Sequence, residues 1–260
     1  MKPRLAAFAP LMLAAPLLAG CATTLNDVRG GPGAKLDPWE NWNRKVFAFN
    51  EALDEKVLKP VATVYSNIVP ELVRRGVDNF FGNFADAWSA VNNFLQGKGQ
   101  AGIYDVMRVG TNTVFGLGGV LDVATEVGLE KTREDFGQTL GVWGMGTGAY
   151  IVWPVFGPSS ARDSIGLPMD IAASPATVIN DGAARYSLSA LRLVNTRANL
   201  LGATRVLDDI ALDKYTFVRD VYLQRRRSLV LDGDEASPAP EDPTAGDEAE
   251  APAPAASAPK

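Results

Sequence analysis

Between Phe136 and Ala161 the chain runs for 26 residues without a charged side chain, yet it carries six glycines and a central Trp153-Pro154. That length reaches what a membrane-spanning helix needs, roughly 20 apolar residues. The composition argues against one. Each glycine weakens a helix by about 1 kcal/mol relative to alanine, Pro154 breaks it, and Gln138, Thr139 and Thr147 would carry polar groups into hydrocarbon. A second uncharged stretch, Val109 to Leu121, holds Gly110, Gly116, Gly118 and Gly119. Two readings stay open. These segments are either a buried loop-and-helix core or an apolar, backbone-rich surface dipping into one membrane leaflet. In the second case Trp39, Trp42, Trp88, Trp143 and Trp153 are available as interfacial anchors.

The N-terminus bears on that choice. Met1 to Arg4 supplies two positive charges, Leu5 to Leu18 is apolar but interrupted by Pro10 and Pro16, and Leu18-Ala19-Gly20 leads into the single cysteine, Cys21. This is the layout of a secretory signal peptide. The tetrapeptide ending at Cys21 resembles the bacterial lipobox, which implies a signal peptide over residues 1–20 and acylation of Cys21. An ordinary signal peptide with an incidental cysteine is the alternative. Each buried methylene contributes about 0.8 kcal/mol, so two or three acyl chains make a stable anchor. Among lipoproteins an aspartate after the cysteine signals retention at the inner membrane; Ala22 stands there instead, which implies the outer membrane, with the chain lipid-anchored on its periplasmic side.

Composition narrows the chemistry. The chain has no histidine, so neither a Ser-His-Asp nor a Cys-His nucleophile can be assembled, nor a zinc site of the usual ligands. We read no catalytic residue, no metal site and no cofactor from it. No phosphate-binding glycine loop or calcium loop is present. Asp208, Asp209 and Asp213 lack a ligand spacing and read as a solvated helix end. The net charge of −5 is concentrated in residues 232–260, which hold eight acidic residues, one lysine and six prolines. The stretch 22–231 balances 22 basic against 22 acidic residues and offers no electrostatic footprint for nucleic acid.

The expected organisation is a flexible tether over residues 21–36, one mostly helical domain over 37–231, and a disordered acidic, Ala/Pro-rich tail over 232–260. Asp37 is placed as an N-cap with Pro38 at the first helical position and Glu40 completing a capping box; Pro60 should close that helix near Lys59. A second helix is expected from Pro70 to Gln96, with Val73, Val77, Phe80, Phe84, Trp88, Val91 and Leu95 forming one apolar stripe. A third begins near Gln100 and is expected to turn Ile103, Val106, Met107 and Gly110 inward. Ala183 to Asn199 and Tyr215 to Arg227 are also helical by pattern, the latter ending in three arginines that suit its dipole. Tyr150 to Trp153 is the one good short strand.

Several blocks together resemble the MlaA/VacJ family of outer-membrane lipoproteins. They include Asp37-Pro38-Trp39-Glu40 with Asn43, Arg44, Phe47, Phe49 and Asn50; Asn79-Phe80-Phe81-Gly82-Asn83; and Asn92-Asn93-Phe94-Leu95-Gln96-Gly97. Further on come Arg108, Asn112-Thr113, Asp122-Val123-Ala124, and the run from Glu134-Asp135-Phe136-Gly137 through Tyr150 to Pro154. The resemblance implies an all-α, ring-like domain partly embedded in one leaflet. It implies a central amphipathic channel that removes misplaced phospholipid from the outer leaflet and passes it to a soluble periplasmic carrier, in association with a trimeric porin. On that basis Leu117, Leu121, Leu140, Val142 and Met145 are candidates for the tail side of a channel. Asn112, Thr113, Gln138 and Thr139 are candidates for the headgroup, with Gly141, Gly144, Gly146 and Gly148 as a pliable turn. Two other classes stay in view: a helical peptidoglycan-cleaving lipoprotein using Glu40, Glu51, Glu71, Glu126 or Glu134, and a purely structural porin-associated lipoprotein.

Overall fold

A computed structural model describes residues 36–210 and 213–233. The signal segment, Cys21, the tether up to residue 35 and the tail from residue 234 lie outside the described residues. The helices are α1 (Glu40–Leu53), a π-helical turn (Asp54–Leu58), α2 (Lys59–Ile68), α3 (Glu71–Leu95), α4 (Gly99–Val114), α5 (Val123–Glu126) and α6 (Phe136–Val142). A two-stranded hairpin follows, β1 (Tyr150–Trp153) and β2 (Gly157–Ser160), antiparallel with Tyr150 opposite Ser160. The chain continues with α7 (Ala161–Ala172), α8 (Pro175–Val178), α9 (Gly182–Asn199), α10 (Leu201–Ile210) and α11 (Lys214–Val230). Among the described residues no helix is long and apolar enough to cross a membrane.

The first helix corrects three expectations. Asp37 caps nothing: Trp39 occupies the N-cap position without a side-chain bond, and the buried Asp37 carboxylate instead accepts from Asn43 Nδ2 at 2.8 Å and from the Tyr215 hydroxyl. Glu40 pairs with Arg44 at 2.7 Å rather than closing a capping box. Pro60 does not end the helix either. The π turn at Asp54–Leu58 widens the backbone just ahead of it, and Lys59 N–H reaches back to the Asp54 carbonyl, so the ring enters where one intrahelical bond has already been given up.

A larger correction concerns which side chains are buried. Among the described residues, polar and charged side chains outnumber apolar ones in the buried set. On α3 the buried face carries Asn83, Asp86, Ser89, Asn92 and Asn93, while Val73, Phe84, Val91 and Leu95 of the expected core stripe are exposed. On α4 the inward face is Gly102, Asp105, Arg108 and Asn112; Ile103, Val106 and Met107 point outward at 55%, 53% and 49% exposure, and Gly110 is exposed with them. The helix periods were legible, but the medium each face meets was inverted. Gly102 lets α3 and α4 approach closely, since a Cβ there would sit 2.7 Å from the Phe94 ring.

Arg108, with no exposed surface, is the hub of this interior. Its Nε donates to Asp86 at 3.1 Å, Nη2 to Asp122 at 3.0 Å, and Nη1 to Thr125 Oγ1 at 3.1 Å and the Leu129 carbonyl at 2.5 Å. Lys131 reaches the other Asp86 oxygen at 3.2 Å. A buried guanidinium is tolerable only when paired and hydrogen-bonded in this way.

The elements close on themselves. The α1–α2 arm packs on α9, α9 on α3, α3 on α6, α6 on α11, α11 on β2, and β1 on α1. Buried polar side chains pin several of these joints. Asn195 of α9 accepts from Tyr65 of α2 at 2.8 Å and donates to Asp78 of α3 at 2.6 Å. Thr139 of α6 donates to Asn92 of α3 at 2.8 Å. Arg226 of α11, expected only to soothe a helix dipole, is buried and forks onto Asp135 at 2.5 and 2.9 Å, with a further bond to Asp163. Asn43 ties α1 to β1.

Candidate functional site

Two asparagines on one face of α1 set the position of the hairpin. Asn43 Nδ2 donates to the Tyr150 carbonyl at 3.0 Å and its Oδ1 accepts from Val152 N–H at 2.9 Å. Asn50, seven residues on, repeats the pattern on the Trp153 carbonyl and Val155 N–H at 2.9 and 2.8 Å. A carboxamide presents the same donor and acceptor as a peptide group, so it can occupy the free edge of a strand.

The hairpin, α1, the π turn, Lys59, α9, α10 and the start of α11 bound a cavity of about 320 Å³. One wall is apolar, from Phe47 and Pro158; the rest is mostly charged, with Asn50 and Thr204 as neutral polar groups. Arg197 of α9 holds Asp54 in a two-pronged pair at 2.6 and 2.7 Å, and its guanidinium is held further toward the charged form by that hydrogen bond. Lys214 pairs with Asp208 at 2.7 Å and lies 3.6 Å from Glu51; the lysine is pushed up and the Asp208 carboxyl down by their mutual hydrogen bond. Charged walls beside an apolar one suit an amphipathic ligand, with the polar part on the charges and the apolar part along the ring.

A second, almost wholly apolar hollow of about 460 Å³ lies between α3 and α9, lined by Val73, Val77, Phe80, Leu121, Leu188 and Leu191 among others. Elsewhere on the surface Ile68, Val114, Phe115, Val155 and Phe156 are each more than half exposed. An exposed hollow lined so completely by apolar side chains is the kind of surface that marks an interaction site.

The nominated residues fall in different places. Asn112 is buried, donating to Asp122 at 3.1 Å and accepting from Ala124 N–H at 2.8 Å. Gln138 and Thr139 are buried at the foot of α6, bonded to the Arg133 carbonyl and to Asn92, and Leu140 is buried beside them. Thr113 is exposed and accepts from Asn83 at 3.1 Å. Leu117 at 74% exposure, Val142 and Met145 face outward, and Leu121 lines the apolar hollow. Gly141 is closely packed, since a Cβ there would meet Arg162 and Val230 at 2.9 Å. Gly144 follows α6 with φ +95° and open space around it, Gly146 is unconstrained, and Gly148 has φ +68° against Ala161. None of these residues borders the charged cavity.

The acids of the enzymatic alternative are dispersed as well. Glu40 and Glu71 pair with Arg44 and Arg75 on their own helices. Burial pushes the Glu134 carboxyl up, while Gln96 and Lys98 at 2.9 and 3.4 Å hold it back. The clamp that places the hairpin beside the charged cavity left one signal in the sequence. Asn43, which is buried, and Asn50, which lines the cavity, stand seven residues apart on one face of α1, where a soluble-core helix would carry apolar side chains.

Residues 35–229 match the family model described as MlaA lipoprotein. The intermembrane phospholipid transport system lipoproteins MlaA of Escherichia coli and Shigella flexneri are each 36% identical over 244 residues, covering 92% of both chains. The protein of that name from Haemophilus influenzae is 31% identical over 85% of this chain and 89% of its own. A solved structure described under "Structural basis for maintenance of bacterial outer membrane lipid asymmetry" superposes with a TM-score of 0.66 at 33% identity, covering 75% of this chain and 98% of that one. With its described helices closed around a polar interior and its sequence matched over nearly its whole length, the chain belongs to the MlaA lipoprotein family.

Proposed function

We propose that this protein is an outer-membrane lipoprotein of intermembrane phospholipid transport. It is anchored through Cys21 on the periplasmic side, and it takes misplaced phospholipid from the outer leaflet through its interior to a soluble periplasmic carrier. Its work is to maintain the lipid asymmetry of the membrane, beside a trimeric porin.

One observation carries the reading: the polarity of the fold is inverted, with Arg108, Asp86, Asn92, Asn93 and Asp105 inside and Val114, Phe115, Leu117 and Phe156 outside. Burying a charged network while exposing large apolar side chains is favourable when the surroundings are acyl chains rather than water. Since no described helix is long and apolar enough to cross a bilayer, the apolar perimeter suits a domain lying within one leaflet. A phospholipid entering such a domain needs polar surface for its headgroup, and the charged cavity beside Phe47 and Pro158 offers it. Leu117, Leu121, Val142 and Met145 would meet tails at the perimeter. The open turn at Gly144 and Gly146 would give as lipid passes.

The test is lipid analysis of the outer leaflet in a strain lacking the protein. Phospholipid there should rise and the barrier to detergent should weaken; an unchanged outer leaflet rejects the proposal. A muropeptide-release assay on the purified protein checks the peptidoglycan-cleaving alternative.

A further inference from the structure

The charged cavity is not symmetric in its charges. Its walls carry four carboxylates, Glu51, Asp54, Glu55 and Asp208, against three cations, Lys59, Arg197 and Lys214. Asp54 is consumed by Arg197 and Asp208 by Lys214, with Glu51 near the same lysine. Glu55 and Lys59 remain. They stand four residues apart across the π turn, both border the cavity, and among the described residues neither enters an ion pair or a side-chain hydrogen bond. In a regular helix a Glu four residues before a Lys commonly pairs with it; here Lys59 acts on Asp208 only through space, and neither charge is closed off by a direct partner among the described residues.

The neutral polar groups of the cavity are already engaged. Asn50 is spent on the hairpin backbone, and Thr204 accepts from Arg197 at 3.2 Å while donating to the Leu200 carbonyl at 2.8 Å. Little is left to read uncharged hydroxyls. What the walls offer is one open cation, one open anion and one surplus negative charge. A ligand with an anionic phosphate alone meets that surplus as repulsion, whereas a ligand that also brings an ammonium is matched at both ends.

We infer that the cavity selects phospholipids whose headgroup carries both a phosphate and a primary amine, with Lys59 taking the phosphate and Glu55 the ammonium. The apolar wall of Phe47 and Pro158 takes the glycerol end of the lipid. This rests on the transport reading above and adds a headgroup preference to it.

The experiment uses the full, lipidated protein in donor vesicles of equal phosphatidylethanolamine and phosphatidylglycerol, with lipid delivered to the periplasmic carrier counted by class. The wild-type protein should deliver the ethanolamine lipid about three- to fivefold over the glycerol lipid, the ratio expected of one partly exposed charge pair. Glu55→Gln should bring the ratio close to one, and Glu55→Lys should reverse it. Lys59→Gln should slow both classes together, since both carry the phosphate. Replacing the ethanolamine lipid with phosphatidylcholine, which keeps the positive charge but has no N–H donor, should retain only the part of the preference that charge alone supplies. Delivery in proportion to vesicle composition by the wild-type protein, or a ratio unmoved by both Glu55 variants, overturns the selectivity while leaving transport standing. Delivery of neither class defeats the transport reading and this one with it.

Discussion

Asn43 and Asn50 lie seven residues apart on α1 and each clamps one carbonyl and one N–H along β1 and its turn, so the helix edge completes a two-stranded sheet. Removing either side chain leaves a strand carbonyl and an N–H without partners. At the fully buried Asn43 that costs about 1–3 kcal/mol, and at the more exposed Asn50 less, because water can replace the lost bonds. Denaturant titration of Asn43→Ala and Asn50→Ala should therefore rank them in that order, and equal losses would show that the hairpin is held elsewhere.

Arg108 should be the most sensitive single position. Arg108→Met leaves Asp86 buried with only Lys131 opposite it and orphans the Leu129 carbonyl, a loss of about 3–5 kcal/mol. Adding Asp86→Asn should recover part of it. A double variant as unstable as the single one would mean that the packing of the guanidinium, not its charge, matters.

Stability should fall on acidification in a defined window. Burial alone would raise the Asp122 carboxyl, but hydrogen bonds from Thr125 and Asn112 and the charge of Arg108 lower it to about 2. A folded-state value below the unfolded one of about 3.9 means stability that is fully present above about pH 4 and lost as the pH falls toward 2. Asp122→Asn should flatten the melting temperature across that window while lowering it at neutral pH. A wild-type profile flat from pH 4 to 2 would contradict the assigned partners.

The apolar perimeter should bind membrane without holding the fold. Ile103→Lys or Phe115→Lys should change unfolding free energy by no more than about 0.5 kcal/mol, as exposed positions do. In a Cys21→Ala background, where no acyl chain assists, either should reduce flotation with vesicles. Undiminished flotation would show that this face does not enter lipid.

The turn after α6 separates folding from flux. Gly144 holds φ +95°, so Gly144→Val carries backbone strain on the order of 1–2 kcal/mol. Gly146 has no such constraint, and a Cβ added there would meet nothing within 4 Å, so Gly146→Val should keep its stability. If Gly146→Val also delivers lipid at the wild-type rate, the turn lies off the lipid path.

The sequence alone determined the local grammar of this protein. Spacing of apolar residues gave α3, α9 and α11 close to their observed bounds and the start of α4, and β-branched and aromatic residues bounded by glycine and proline gave β1. Its motifs also carried the family. What periodicity cannot carry is which medium a face meets: Ile103, Val106 and Met107 share one side of α4 whether water, core or lipid lies beyond it. Nor can local pattern announce partners distant in the chain, such as Asp37 with Tyr215 or Asp135 with Arg226, whose pairing converted an apparent helix cap and a dipole charge into buried joints. Those were decided only when the helices closed on one another, because a polar group left inside without a partner costs more than the local bond it gives up.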